Sequence, residues 1–235
     1  MSSRAFCFTL ETPAGASLPA LEAWAASARL GALEGPGDAW PRASVAAVLE
    51  ALRKADKASC WVDAGAGEAF DLHATCLERS GAAWRVSPPK RALDLESVLK
   101  GQAPRGAEGV LAAAHALLRN EPWEAFFLRL AANEASVACV DDALARLLAG
   151  LTPDIAVWGF RLGSGRVVLR QGSAAAPLPA CGQATFLPTA LRLMGVAQPD
   201  ALPGAPLDLE ATVASGYSRE DEEAIQARLE DLGYV

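Results

Sequence analysis

Histidine is scarce in this chain. Only His73 and His115 occur among 235 residues, whereas a catalytic zinc centre takes about three protein ligands. The five cysteines, Cys7, Cys60, Cys76, Cys139 and Cys181, are odd in number and form no C-x-x-C pair. That excludes a disulfide framework and a zinc knuckle as organising devices. Each cysteine lies among apolar neighbours and is expected to pack as a small hydrophobe. Positive charge is in deficit: 21 basic side chains against 28 acidic ones leave a net charge of −7. A duplex-binding protein needs a basic face to displace counterions, so nucleic acid is not an expected partner. No run approaches the roughly 18 apolar residues of a membrane span. The opening "MSSRAFCFTLETPAG" holds a strand-like apolar run too short for a secretory signal core. A cytoplasmic protein with no membrane partner is expected.

What is present is an apolar, alanine-rich chain. Hydrophobic residues make up 51% and charged residues 21%, enough for a large core without staples. Apolar runs of strand length alternate with helical periodicity. Strands are expected at 5–10, 58–65, 82–87, 123–131, 154–160 and 166–172. Helices are expected at 18–30, 43–55, 94–101, 106–120 and 135–151, with a short helix within 68–81. Pro188 opens a further helix that Gly195 closes. A last helix is capped by Ser218, carries Ile225, Leu229 and Leu232 on one stripe, and ends at Gly233. The alternation predicts an α/β fold in which a mostly parallel sheet is sandwiched between helices, as a single domain over 1–235.

Such a sheet binds ligands beyond the carboxyl ends of its strands. Four positions there carry suitable chemistry: Glu11, Asp63, Asn133 and Arg161. "DAGAGEA" lacks the third glycine of a dinucleotide fingerprint, and "GSG" at 163–165 reads as a hairpin turn. There is no P-loop and no G-x-S-x-G elbow. Ser44 reads as a helix N-cap, His115 as a surface or half-buried helix residue, and Trp40 as a candidate interface anchor.

Three segments occur in order: "CVDDALARLLAGLTPDIAVWGF", "GQATFLPTALRLMGVAQPDALPGAPL" and "YSREDEEAIQARLEDLGYV". Together they resemble the end of the alkaline phosphatase superfamily, in its type I phosphodiesterase/nucleotide pyrophosphatase branch. The middle segment matches through Pro188, Thr189, Leu191, Gly195, Pro199, Gly204 and Leu207. The resemblance covers 137–235, with two shorter echoes within 1–136, "LPALEAWAASARLGAL" and "VLEALRKADKASCWV". It implies an alkaline phosphatase-like core and, in the enzymes of the family, two metal ions held by Asp and His beside a Thr or Ser nucleophile. Here the ligand positions are altered. Glu11 or Thr12 stands where the first Asp is expected, Phe160 and Arg161 replace an Asp-His pair, and Asn133 and Glu134 fall where an Asp-x-x-x-His is expected.

The chain is therefore expected to be a shortened, non-catalytic relative with no catalytic residue, no metal ligand and no cofactor. It would act as a binding or scaffold protein for an unidentified protein partner, with homo-oligomerisation left open. The alternative is a phosphate- or sulfate-ester hydrolase, or an anion-binding protein, with a rebuilt site; zinc or another divalent metal enters only there. A third reading, an unrelated α/β domain, is separated from these by whether the terminal helix packs beside the helix at Pro188.

Overall fold

Arg4–Glu11 (β1) is buried at every position from Ala5 to Leu10. A strand apolar on both sides belongs in the middle of a doubly covered sheet. The computed structural model, which describes residues 4–34, 42–66, 75–80, 83–87, 106–120, 123–162, 165–171 and 177–209, places it there. The other strands are Arg29–Glu34 (β2), Ser59–Ala66 (β3), Thr75–Ser80 (β4), Ala83–Ser87 (β5), Ala125–Ala131 (β6), Ile155–Leu162 (β7), Arg166–Arg170 (β8) and Cys181–Gly182 (β9). Their order is β5-β4-β3-β6-β1-β7-β8-β2-β9. The stretch β4-β3-β6-β1-β7 is parallel throughout, while β5 and β8 run against it and β2 pairs with β9 in parallel. The mostly parallel α/β sandwich expected from the sequence is the observed fold.

The helices are Pro19–Ala25 (α1), Arg42–Lys54 (α2), Gly106–Asn120 (α3), Val137–Ala149 (α4) and Gln183–Leu193 (α5). Phe6, Phe8 and Leu10 of β1 pack with α1, α3 and α4. Ala5 and Cys7, one residue out of phase, pack with α2 and α5. On this second face the Trp158 indole N–H donates to the Phe186 carbonyl at 3.0 Å. The same two rings stack with centroids 4.9 Å apart, and Phe160 meets Phe186 edge-on at 4.7 Å. Each such pair adds about 0.5–1.5 kcal/mol beyond its buried area. No helix among the described residues is long and apolar enough to cross a membrane.

Several expectations are corrected. The helix at 18–30 stops at Ala25, and Arg29–Glu34 is a strand that pairs with β8 and β9. Within 68–81 the described part is the strand β4, held between β3 and β5. Ser44 lies inside α2, buried, not at its cap. Cys139 is exposed on α4, whereas Cys7, Cys60 and Cys181 are buried; burial, with Glu34 adding to it, pushes the Cys181 thiol up to about 11. The helix at 94–101, the terminal helix that discriminates the third reading, Trp40 and His73 lie outside the described residues.

The helix expected to open at Pro188 begins at Gln183, with Pro188 inside it. Proline has no N–H, so the Ala184 carbonyl loses its donor four residues on. The Gly204 backbone, at φ +88°, comes so close to Ala184 O that an added Cβ would overlap it. The next residue fastens the same loop. Thr189 Oγ1 donates to Thr185 O at 2.7 Å and accepts the Leu207 N–H at 3.0 Å. Gly195, at φ +69°, ends the helix: Val196 N–H returns to Leu191 O and Gly195 N–H to Arg192 O, a Schellman closure. Pro188, Thr189, Gly195, Gly204 and Leu207 are thus explained by one helix and the loop clasped to it.

At the opposite end of the sheet, Glu124 joins three strands. Its backbone bonds Ala5 and Ala58, while its carboxylate accepts from Lys57 Nζ at 2.7 Å and from Ala58 N at 3.1 Å. The Lys57 hydrogen bond is the main cause that holds the Glu124 carboxyl below its ordinary value. A depressed carboxylate stabilises the fold above the unfolded-state value of about 4.3, and the contribution is lost as pH falls through the lower folded value. The pair is part-exposed, so about 0.5 kcal/mol is at stake. Glu124→Gln is expected to cost that much in a urea midpoint at pH 7 and progressively less as the pH is lowered below about 4; a cost that does not change with pH would rule the ion pair out as the source.

Candidate functional site

The carboxyl edge of β3, β6, β1 and β7 is where the sequence-derived candidates fall. The register fixes their spacing. Asp63 pairs with Arg129, which pairs with Thr9, whereas Glu11 pairs with Ala131 and with Leu162. Asp63 therefore lies two rungs short of Glu11 and two strands away, about 10 Å laterally at ordinary strand spacing. Arg161 pairs with Leu10, one rung before Glu11. Side chains alternate along a strand, so Glu11 and Arg161, though on adjacent strands, leave the sheet on opposite faces. The four candidates share an edge, and the register sets Glu11 and Arg161 on opposite faces of it.

Arg161 is drawn to the α1 face. Its Nε donates to Thr12 Oγ1 at 3.1 Å, and its Nη2 donates to the Ala16 carbonyl. The turn it grips is Pro13-Ala14-Gly15-Ala16, closed by Ala16 N–H to Pro13 O, with Gly15 at φ +75°, the residue a turn of this hand requires. Nη1 faces Glu22 Oε1 at 4.0 Å. Across the β7–β8 pairing, Arg166 is the direct partner of Arg161 and reaches the same Glu22 oxygen at 3.7 Å.

Asn133 has local work. Its Oδ1 accepts the Ser136 N–H at 3.0 Å while Ser136 Oγ accepts the Asn133 N–H at 3.1 Å. This reciprocal pair opens α4 and takes up the side-chain oxygen. Glu11 is exposed at the end of β1. Gly163 and Ser164 of the "GSG" turn lie outside the described residues, and Gly165 has φ +63°.

Three features escaped the sequence reading. Glu22 lies on a short helix with no motif around it, so nothing flagged it as the shared counter-charge of two arginines. Leu30 falls within the helix expected at 18–30; in β2 it is 42% exposed. Asp141, buried in α4, accepts the Ala20 N–H at 2.9 Å and the Leu21 N–H at 2.8 Å. It caps α1 from 120 residues away, where the local cap position holds Leu18. A cavity of about 70 Å³ lies between α1 and the β7–β8–β2 side of the sheet, lined by Phe8, Leu18, Leu21 and Val168 with Glu22, Arg161 and Arg166. A wider groove between α3 and α4 brings His115, which is exposed as expected, beside Cys139 and Arg146.

Among the described residues no three His, Cys, Asp or Glu side chains lie together as a metal-binding group. Among the described residues, the ends of β7 and β6 do not fit the pair of divalent cations that the resemblance implies. A guanidinium fastened by Thr12 and Ala16 occupies the end of β7, and the Asn133 oxygen is committed to α4.

No family model matches the chain, and no curated protein matches it. Among solved structures, the phosphonate monoester hydrolase SpPMH from Silicibacter pomeroyi superposes with a TM-score of 0.55 over 93% of this chain and 78% of that chain, at 12% identity. At that identity the likeness is one of fold: this chain has the α/β architecture of a phosphonate monoester hydrolase.

Proposed function

We propose that the chain is a non-catalytic member of the alkaline phosphatase superfamily, of the type I phosphodiesterase-like branch, that works by binding. The observation that carries this reading is the end of β7. Where the resemblance expects an Asp-His pair, Phe160 is buried in the α2–α5 core and Arg161 is locked onto the turn before α1. A fixed positive charge opposes a dication at that place, and neither side chain supplies a ligand lone pair. On this reading no residue is catalytic, no metal or other cofactor is resident, and the protein acts in the cytoplasm on a protein or small-molecule partner.

The test is metal content and turnover together. After purification in zinc- and manganese-supplemented buffer, elemental analysis is expected to find far less than one metal per chain. Phosphate monoesters, phosphate diesters and phosphonate monoesters are expected to hydrolyse no faster than in buffer. Stoichiometric metal with turnover that disappears in Glu11→Ala would establish the rebuilt hydrolase instead.

A further inference from the structure

Arg161 and Arg166 break a rule of sheet design. They are direct partners across the antiparallel β7–β8 ladder, so their Cβ atoms share a face at about 4.5–5.5 Å, and like charges so placed repel. Two positive charges face one carboxylate, Glu22. Its oxygen lies 4.0 Å and 3.7 Å from their nearest nitrogens, both too long for hydrogen bonds. Arg161 is nearly buried, its side chain 11% exposed. Thr12 and Ala16 hold its Nε and Nη2, so Nη1 is the edge turned toward Glu22. A guanidinium nitrogen held rigid, and facing a carboxylate it does not hydrogen-bond, is a donor left for a second anion, which Arg166 across the ladder can share.

The space beside the fork is apolar. Phe8, Leu21 and Val168 wall the cavity, and Leu30 completes it, the residue named above as exposed and the large hydrophobic side chain so classed among those described. An apolar cavity of about 150 Å³ accepts benzene, so one of about 70 Å³ accepts a chain of three or four carbons. The excess of one positive charge matches a monoanion. A phosphate dianion would overcompensate it and has no use for the apolar wall.

We propose that this cavity binds a short-chain aliphatic carboxylate, with the carboxylate between Arg161 and Arg166 and the tail against Phe8, Leu21 and Leu30. The proposal rests on the binding reading above and names its ligand class.

The experiment is calorimetric titration of the full chain at fixed ionic strength with acetate, propanoate, butanoate, 1-butanol and inorganic phosphate as probes. Affinity is expected to rise about fourfold per methylene from acetate to butanoate, with 1-butanol and phosphate at least tenfold weaker than butanoate. Arg166, 64% exposed, is replaceable without loss of the fold; Arg166→Gln is expected to weaken butanoate about tenfold. Ala25→Leu, which adds bulk to the wall, is expected to abolish binding while the melting temperature holds. Equal affinity for 1-butanol and butanoate, no gain from acetate to butanoate, binding of phosphate alone, or no binding of any probe would each overturn the proposal. None of these outcomes changes the metal and turnover result, so failure here leaves the non-catalytic reading standing, and detected turnover fails that reading without touching the titration.

Discussion

Gly159→Ala is expected to lower stability by about 3 kcal/mol and the melting temperature by roughly 6–12 °C. The backbone is not the reason. Gly159 has no positive φ, and alanine in a strand should otherwise gain about 0.5–1 kcal/mol over glycine. The cost is steric. Gly159 lies directly opposite Phe8 in the β1–β7 ladder, and an added Cβ would land on the edge of the Phe8 ring. That ring is 1% exposed and tilts against Phe6 at 6.4 Å, and Phe6 in turn stacks on Phe126 at 5.3 Å. The α1 cavity, which Phe8 itself lines, offers it room. The ring is therefore expected to swing into that cavity, relieving part of the clash and closing the space to a ligand. A double-mutant cycle checks the cause. In a Phe8→Leu background the same substitution should cost less than about 1 kcal/mol, a coupling of about 2 kcal/mol. Equal costs in both backgrounds would remove the ring clash as the explanation.

This contact links two levels of the molecule. The bare Gly159 lets the central strands carry large aromatics on the α1 face, and the position of Phe8 in turn shapes the cavity under Arg161. The fold was legible where a segment's own pattern decided it. β1, β6 and β7 are apolar runs that only a doubly covered sheet can bury, and α4 carries its apolar stripe through Val140, Leu144, Leu147 and Leu148, all buried as the spacing requires. It was illegible where a distant partner decided. Ala26 to Leu30 has helical composition, but the chain turns after Ala25, and Arg29 and Leu30 pair in the sheet with Leu169 and Val168, some 140 residues on. Long-range pairing overrides local propensity here.

The candidate site divides in the same way. The strand-end rule led to Glu11, Asp63, Asn133 and Arg161, and the topology does place all four along one edge. What it could not give is the face each leaves by, because that depends on register: Arg161 level with Leu10 and Glu11 one rung later is a matter of a single residue. Nor could it reveal that Arg161 and Arg166 are cross-strand partners. "RLGSGR" reads as a hairpin, but the pairing that sets two guanidinium groups against Glu22 appears only once α1 is in place.

Asp141→Ala is expected to cost about 3 kcal/mol, seen as a lower denaturant midpoint at unchanged slope. The helix it serves is seven residues long and starts on Leu18, whose side chain caps nothing and is fully buried. The Ala20 and Leu21 amides therefore depend on the carboxylate of α4. A helix this short is not stable by propensity alone, and a charge-assisted hydrogen bond contributes about 1.5–3 kcal/mol. Asp141→Asn is expected to recover less than half of the loss, because its amide group sets a donor against one of the two N–H groups. Hydrogen exchange separates a local effect from a global one: the Ala20 and Leu21 amides should lose protection ahead of the β1 amides. Uniform loss would mean that Asp141 supports the core and not α1 in particular. The consequence reaches the anion site, since α1 carries Glu22 and the wall residues Leu21 and Ala25. Butanoate should therefore lose affinity in Asp141→Ala even at temperatures where the chain remains folded.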